Sequence, residues 1–445
     1  LENNVLQSLK SRKKWTTYGT SRVQPVEITL EKVNPLIDEV GISRIANITY
    51  MDRLKIPNYS AVLPGTEDYI WVYGGKGPTK NHAKASAIME SIERFSALPK
   101  NYLNKLIRGS YEELSKSYNI LKYDDVVEPL SFSLNNEMIM DYCIGYDLLN
   151  EKDILVPAPL ALFKFIPNPP SINPYAFYHT NGLASGNVME EAICHAFCEV
   201  IERDSTSISD FVSSAFQYHI LRYIENSFIK IGLNLKALES QKFMDDNSVY
   251  PDVDLNNFES EHGQKLLKRF KKCQIPLIVK DITSDIGIPT FIASSVEWIN
   301  HDYGYFVEGH GTHPDSRLAL IRSITEVSQS RSANIQGSRD DLRKMKYDFN
   351  DSDDKRSWQF MKSTKNIKFS DIVSFYNDDI LDDIKLILTK LKTRGLQKAI
   401  IVDLTNPKLN IPVVRAIVPG LETFKINKMI VGNRSKEIFK KCLNL

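Results

Sequence analysis

Three segments of this 445-residue chain carry polar side chains at the same i, i+4, i+7 positions. They are Ser86, Glu90 and Glu93 in AKASAIMESIERFSA (83–97), His195, Glu199 and Glu202 in AICHAFCEVIERDST (192–206), and Arg322, Glu326 and Gln329 in ALIRSITEVSQSRSA (319–333). On a helix that spacing lays each trio along one stripe. A lone Glu-x-x-Glu-Arg is usually a solvated face. Here the remaining positions of the first two segments are apolar (Ala87, Ile88, Met89, Ile92 and Phe95; Ala196, Phe197, Val200 and Ile201), so little helix surface is left for solvent. The stripes are therefore expected to line an internal cleft. Buried carboxylates need a compensating cation. Oxygen donors without clustered imidazole or thiolate suit Mg2+ better than zinc or copper, which makes Glu90, Glu93, Glu199 and Glu202 candidate ligands. Arg94, Arg203 and Arg322 at the stripe edges match phosphate oxygens, because a guanidinium forks onto them. The chemistry implied is a carboxylate, magnesium and triphosphate stack.

Elements that present such stripes are legible nearby. Each helix follows a glycine-rich stretch, YGGKGPTK, TNGLASGN or VEGHGTHPD, and strand-like runs precede them, as in YIWVY (69–73) and YGYFVEG (303–309). The repeating unit is read as strand, glycine turn, helix, a geometry that offers backbone N–H groups to an anion. The fold class expected is α/β (mixed α+β), with repeated strand-turn-helix units around a nucleotide cleft. No Walker A spacing and no protein-kinase catalytic-loop signature occur in the sequence, so the nucleotide pocket is of another kind. Residues 1–345 are expected to form the catalytic core and 346–445 a C-terminal α/β lobe, with the helix ILDDIKLILTKLKTRG closed by Gly395 and the strands KAIIVDL and IPVVRAIVPG. Residues 233–264 read as an insertion loop and 339–366 as a solvated, charge-dense connector.

Composition narrows the class further. With 56 basic and 55 acidic residues the net charge is +1, which provides no field to steer the molecule onto nucleic acid or a membrane surface. Five scattered cysteines without CxxC pairs argue against a disulfide framework and for a reducing compartment, with the cytoplasm the default. No run reaches the length of a membrane span, and LENNVLQSLKSRKKW lacks the apolar stretch of a secretory signal.

The combined pattern resembles the YcaO superfamily of ATP-dependent enzymes that modify peptide backbones. The residues that carry the resemblance are S-x3-E-x2-E-R (Ser86, Glu90, Glu93, Arg94), the block NGLASGNVMEEAICHAFCEVIERD with Asn187, Glu191, Glu199, Glu202 and Arg203, and RSITEVSQSR with Arg322, Glu326 and Gln329. GISRIANITYMDRLKIPNYSAVLPG (41–65) and IPVVRAIVPGLE (411–422) extend it over most of the chain. The resemblance implies ATP and Mg2+ as cofactors, with Asn187 and Glu191 among the nucleotide contacts and the third helix completing the pocket. RKKWTTYGTSR matches a stretch whose side chains reach the terminal phosphates, which carries over Lys14, Ser21 and Arg22, with Lys13 an alternative to Lys14. It also implies amide activation: a nucleophile adds to a backbone amide carbon and the oxyanion takes the γ-phosphoryl group. A neighbouring Cys, Ser or Thr as nucleophile gives an azoline, and sulfide gives a thioamide.

The C-terminal SKEIFKKCLNL lacks the proline-rich tail of many cyclodehydratases, and no E1-like module is evident. The flanking motifs look instead like the archaeal members that act with a TfuA partner, which in methanogens form the thioglycine of methyl-coenzyme M reductase. Thioamide formation on a protein substrate, with a TfuA-like partner and a sulfur donor, is therefore the leading expectation. Azoline formation and a non-catalytic nucleotide-binding assembly factor are the alternatives, and a homodimer is compatible with all three. Three further groups invite function. Cys194, His195 and Cys198 share a helix face but lack a second ligand pair for zinc. His310 and His313 are acid–base candidates or turn residues, and Arg415, set among apolar strand residues, needs a partner.

Overall fold

A computed structural model describes residues 8–15, 20–64, 71–122, 125–126, 135–166, 179–215, 230–232, 249–298, 304–337, 358–360, 362–423 and 430–442. Fourteen strands among these residues assemble into three sheets. They are β1 (Arg44–Asn47), β2 (Asn58–Leu63), β3 (Trp71–Lys76), β4 (Ile107–Ser110), β5 (Ile139–Asp147), β6 (Lys152–Pro157), β7 (Leu183–Ser185), β8 (Asp252–Asp254), β9 (Ile278–Asp281), β10 (Thr290–Trp298), β11 (Gly304–Thr312), β12 (Asn366–Lys368), β13 (Ile400–Asp403) and β14 (Val413–Ile417). The first sheet has the order β1-β2-β3; the second, β11-β10-β9-β8-β12; the third, β4-β5-β13-β14-β7, with β6 on β5. The helices used below are α1 (Val26–Val33), α2 (Lys80–Ser96), α3 (Met189–Ala215), α4 (Glu261–Lys272), α5 (Ser316–Gln336), α6 (Ile380–Thr393) and α7 (Asn433–Cys442).

The three striped segments are α2, α3 and α5, and local chemistry explains where two of them begin. The Thr79 hydroxyl accepts the His82 N–H at 3.3 Å to start α2, and the Asp315 carboxylate accepts the Arg317 N–H at 3.0 Å to start α5. Gly337, at φ +65°, closes α5 in the left-handed conformation. Away from the stripes the helices are apolar and buried. Ile88 and Ile92 of α2 sit in one core with β2, β5 and β6; Ile193, Phe197 and Ile201 of α3 sit in another with α6 and β14; Leu320 and Ile324 of α5 sit in a third with β9 to β11 and α4. Fully burying such a side chain is worth roughly 1.5–3 kcal/mol, which is ample to anchor each helix by its apolar face.

The packing is cyclic. α2 lies on β2 and β3 and also touches β7; α3 lies on β7 and β14 and also touches β11; α5 lies on β10 and β11 and also touches β3. Each helix thus packs on its own sheet and against the leading strand of the next unit, so the three stripes face a common centre.

The glycine stretches correct the sequence reading. Gly74 and Gly75 lie within β3, and Gly309 and Gly311 within β11, not in turns. Their role is close approach. A Cβ on Gly75 would come within 2.1 Å of the Ala83 carbonyl and 2.3 Å of the Ala87 amide, and one on Gly311 within 2.0 Å of the Ala319 carbonyl and 2.6 Å of the Ser323 amide. The contacts fall eight and twelve residues ahead in both units, so the repeat aligns Gly75 with Gly311 without the shortening that alignment on Gly309 requires. In the middle unit the glycine block does form a turn, with Gly182 at φ +77°.

The strands of segment 346–445 are woven into both larger sheets. β13 and β14 lie between β5 and β7, and β12 pairs in parallel with β8. Within 233–264, residues 233–248 lie outside the described set, but β8 and the start of α4 are ordered elements. Of 339–366, residues 339–357 also lie outside it. All five cysteines are free. No helix among the described residues is long and apolar enough to cross a membrane.

Gly75→Ala and Gly311→Ala are expected each to lower stability by about 1–3 kcal/mol, because the new methyl meets helix backbone that cannot rotate away. Denaturant unfolding midpoints check this, and wild-type midpoints in both variants would contradict the close-packing role.

Candidate active site

One cleft of about 1130 Å3 occupies the common centre, larger than the roughly 300–1,000 Å3 of pockets that hold one small ligand. Ser86, Glu90, Glu93, His195, Glu199, Glu202, Arg322, Glu326 and Gln329 all line it, so all nine stripe residues meet in one wall. Arg94, Arg203, Asn187, Glu191, Ser21 and Arg22 line it too. Of the expected site residues, Lys14 and its alternative Lys13 are not in the cleft lining: the Lys14 ammonium is 2.5 Å from Asp383 of α6, and both of those side chains are almost fully buried.

At the acidic end, Glu93 binds Arg94 at 2.7 Å and accepts the Ser185 hydroxyl at 3.3 Å, while Glu90 is 3.4 Å from the same guanidinium. Burial, with Glu199 and Glu90 nearby and only partly offset by Arg94, pushes Glu93 up to about 8. Burial also raises Glu199 against the pull of Arg203 and Arg94. Two arginines therefore leave this carboxylate group short of positive charge, which is the environment a divalent cation relieves. Oxygen donors of this kind fit Mg2+. Glu326 is different. Burial opposes its ionisation, but the Lys76 ammonium and His310 outweigh it and hold the carboxyl well below its ordinary value. It stands in the cleft lining as an ion pair with Lys76.

The opposite wall is organised by Glu191. Its carboxylate accepts the Val23 N–H at 2.6 Å, the Asn187 N–H at 2.8 Å and the Asn187 amide at 2.9 Å, and pairs with Arg22 at 3.4 Å. Asn187 in turn accepts the Thr29 hydroxyl at 2.8 Å and the Gln24 amide at 3.1 Å. Glu191 thereby fixes the 20–25 strap and Asn187 on the cleft wall. Arg322 donates to His195 Nε2 at 2.9 Å, and burial followed by Arg322 holds that imidazole well below its ordinary pKa, hence neutral.

Sequence reasoning missed one cleft residue, Lys76, and two carboxylates outside the cleft lining that hold the N-terminal segment, Glu190 and Asp383. Lys76 stands in the quoted YGGKGPTK beside its glycines, a visible signal that was read only as a turn. Glu190 accepts the Lys10 N–H at 2.7 Å and pairs with Arg12 at 3.1 Å. Asp383 had no signal, since its partner is remote in sequence. Of the other candidates, His310 gives its backbone N–H to Glu326 at 3.3 Å. Arg415, within β14, is 2% exposed and donates to His179. Cys194 lies with His313 and Asp383, not with His195, as a ligand-like group; its thiol is pushed well above its ordinary pKa by the hydrogen bond with Cys198 and by burial, and Lys14 already supplies the positive charge at Asp383.

Fold and site together define an α/β protein with a carboxylate-lined, arginine-edged cleft for a metal–triphosphate, built without a Walker loop. The chain belongs to the YcaO cyclodehydratase family, described as ATP- and Mg2+-binding, whose match covers residues 74–225 and 238–422. It is 30% identical over 419 residues to a Methanothermobacter thermautotrophicus protein, covering 93% of this chain and 97% of that one. It is 26% identical to a Rhizobium leguminosarum bv. trifolii protein in the tfuA 3′ region, covering 91% and 89%. Among solved structures, YcaO from Methanopyrus kandleri bound with AMPPCP and Mg2+ superposes with a TM-score of 0.68 at 21% identity, covering 95% of this chain and 98% of that one. A heterocyclase in complex with substrate and cofactor gives 0.73 at 21%, and this chain spans 94% of itself but 54% of that protein. These likenesses establish the YcaO-type α/β fold.

Two outcomes are expected from this geometry. Glu199→Gln removes one charge from the crowded carboxylates, so the metal-free variant unfolds at or above the wild-type temperature while Mg2+-dependent nucleotide affinity falls at least about tenfold; calorimetry measures both. Lys14→Met leaves the Asp383 charge buried and unpaired, at a cost of about 3–5 kcal/mol, whereas Lys14→Met with Asp383→Leu regains most of it. An unfolding midpoint unmoved by Lys14→Met contradicts a structural role for that pair.

Proposed function

We propose that this chain is an ATP- and Mg2+-dependent enzyme that activates a backbone amide of a protein substrate by O-phosphorylation and delivers sulfide to the same carbon, leaving a thioamide. The observation that carries the amide-activation reading is the convergence of three equally spaced polar stripes on one cleft in a chain of this family. The thioamide branch is supported by the relative in the tfuA 3′ region and by the archaeal relative. On this reading a TfuA-like partner assists, and a glycine of methyl-coenzyme M reductase is the substrate implied.

Each wall then has a task. Glu90, Glu93, Glu199 and Glu202 hold Mg2+, which neutralises phosphate charge when bound. Ser21, Arg22, Arg94, Arg203 and Arg322 face phosphate oxygens, and positioned cations of this kind supply most of the acceleration in phosphoryl transfer. Asn187, held by Glu191, Thr29 and Gln24, and Gln329 complete the nucleotide contacts. Hydrosulfide adds to the amide carbon; the resulting oxyanion takes the γ-phosphoryl group with loss of ADP; expulsion of phosphate regenerates the C–N conjugation as a thioamide. The amide oxygen ends in phosphate, so amide, hydrogen sulfide and ATP balance thioamide, ADP and phosphate. The family's cyclodehydratase description favours a second reading, in which a Cys, Ser or Thr side chain of the substrate replaces sulfide and an azoline results.

Incubation with ATP, sulfide and a glycine-containing peptide, with and without a TfuA-like protein, followed by mass analysis, tests this. The expected product shows oxygen-to-sulfur exchange at glycine together with ADP and phosphate. Loss of water at Cys, Ser or Thr without sulfide establishes the azoline reading. AMP and pyrophosphate would overturn γ-phosphoryl transfer, and absence of any substrate-dependent phosphate release would leave a nucleotide-binding assembly factor.

A further inference from the structure

His313, 3% exposed, immediately precedes α5 on the cleft wall. Its Nδ1 lies 2.9 Å from the backbone N–H of Asp315. An amide N–H only donates, so Nδ1 is the acceptor and the imidazole proton sits on Nε2. Nε2 is 3.1 Å from the Ser21 hydroxyl oxygen and 4.0 Å from the Asp383 carboxylate, which already holds Lys14. Only the first of these is a hydrogen bond. Ser21 therefore accepts from His313, and its own O–H points away from the ring. Among the described residues no hydrogen bond uses that proton, and Ser21 lines the cleft.

The surroundings state what the proton is for. Burial, then Lys14, Arg322 and Arg22, hold His313 well below its ordinary pKa, and Arg22 and Arg322 line the cleft beside Ser21. Protonating the ring would also set an Nδ1–H against the Asp315 N–H. The imidazole is thus locked neutral in one tautomer, beside a hydroxyl on the cleft wall whose proton is left for another acceptor.

We propose that His313 is a positioning residue that fixes Ser21 as a hydrogen-bond donor to the terminal phosphate of the bound nucleotide. The inference rests on the reading of the cleft as a metal–triphosphate site. Without the Nε2–H the hydroxyl is free to turn inward, and a phosphate oxygen loses a charge-assisted bond.

Calorimetric titration of wild type, Ser21→Ala, His313→Leu, His313→Gln and the Ser21→Ala/His313→Leu double variant with Mg2+–AMPPCP and with ADP tests the proposal. Ser21→Ala and His313→Leu are each expected to cut the preference for AMPPCP over ADP roughly tenfold. The double variant is expected to lose no more than either single one, and His313→Gln, whose amide offers both an acceptor and an N–H, to retain most of the preference. Equal losses toward both nucleotides, or effects of the two substitutions that multiply, overturn the proposal while leaving the nucleotide site intact. A wild type that binds neither nucleotide overturns the nucleotide reading itself and the inference with it. Selective 15N-histidine NMR on the wild type is independent of variant folding: a neutral Nε2–H tautomer between about pH 6 and 8 is expected, well within the range where ordinary histidine titrates. An Nδ1–H tautomer or an imidazolium at that position overturns the assignment.

Discussion

Carboxylates that share a low-dielectric cavity repel one another, and the structure around them exists to hold them together despite that. Glu93 shows the tension, since burial and its acidic neighbours push it to about 8 even with Arg94 at 2.7 Å. A chain under that constraint needs stiff supports. Each acidic stripe is mounted on a helix whose remaining faces are sunk in a separate apolar core. Relaxing any one stripe would therefore expose a core, so the repulsion is stored in place until a cation relieves it. A cleft of this kind is costly to assemble for any purpose other than binding a metal–anion pair.

Cyclic packing is what turns three local patterns into one site. A single strand–helix unit could place two glutamates on a surface, but only the contact of each helix with the next unit's leading strand turns all three stripes inward. The glycines set the distance. With Gly75 and Gly311 pressed on helix backbone, α2 and α5 sit closer to β3 and β11 than side chains would allow, which brings their stripes to the rim of the same cavity.

Much of this was legible in the sequence for a physical reason. Helical periodicity is local, so the stripes and their apolar backs are visible without tertiary knowledge, and all nine stripe residues line the cleft. The first and third glycine blocks lie in strands where turns are expected, because a glycine that permits close packing within a strand looks the same in sequence as one that permits a turn. Lys14 shows the limit most plainly. A basic residue in RKKW can be assigned to phosphate by family resemblance, but whether its ammonium reaches the cleft depends on Asp383, which is far away in the chain. Likewise the weaving of β13 and β14 between β5 and β7 depends on strand order, which hydrophobic runs do not encode.

That last feature changes what the C-terminal segment is for. Asp379 caps α6 by accepting the Leu381 N–H at 2.8 Å, and the same carboxylate oxygen accepts the Arg12 N–H at 2.8 Å. The Lys14 amide reaches the Asp378 carbonyl at 2.8 Å and the Ile380 amide the Arg12 carbonyl at 2.9 Å, so residues 12–14 form an isolated antiparallel bridge with the residues that lead into α6. From there the chain leads to Ser21 and Arg22, which Glu191 and His313 hold on the cleft wall. Trp15, next to that contact with the start of α6, bridges to Arg22, so the strap that carries Ser21 and Arg22 is tied to the start of α6 at one end and to α3 at the other. Its position is decided by a segment that contributes little surface to the cleft. A substitution at the start of α6 would be felt as a displaced Ser21 and Arg22, while the carboxylates on α2 and α3 stayed where their own cores hold them.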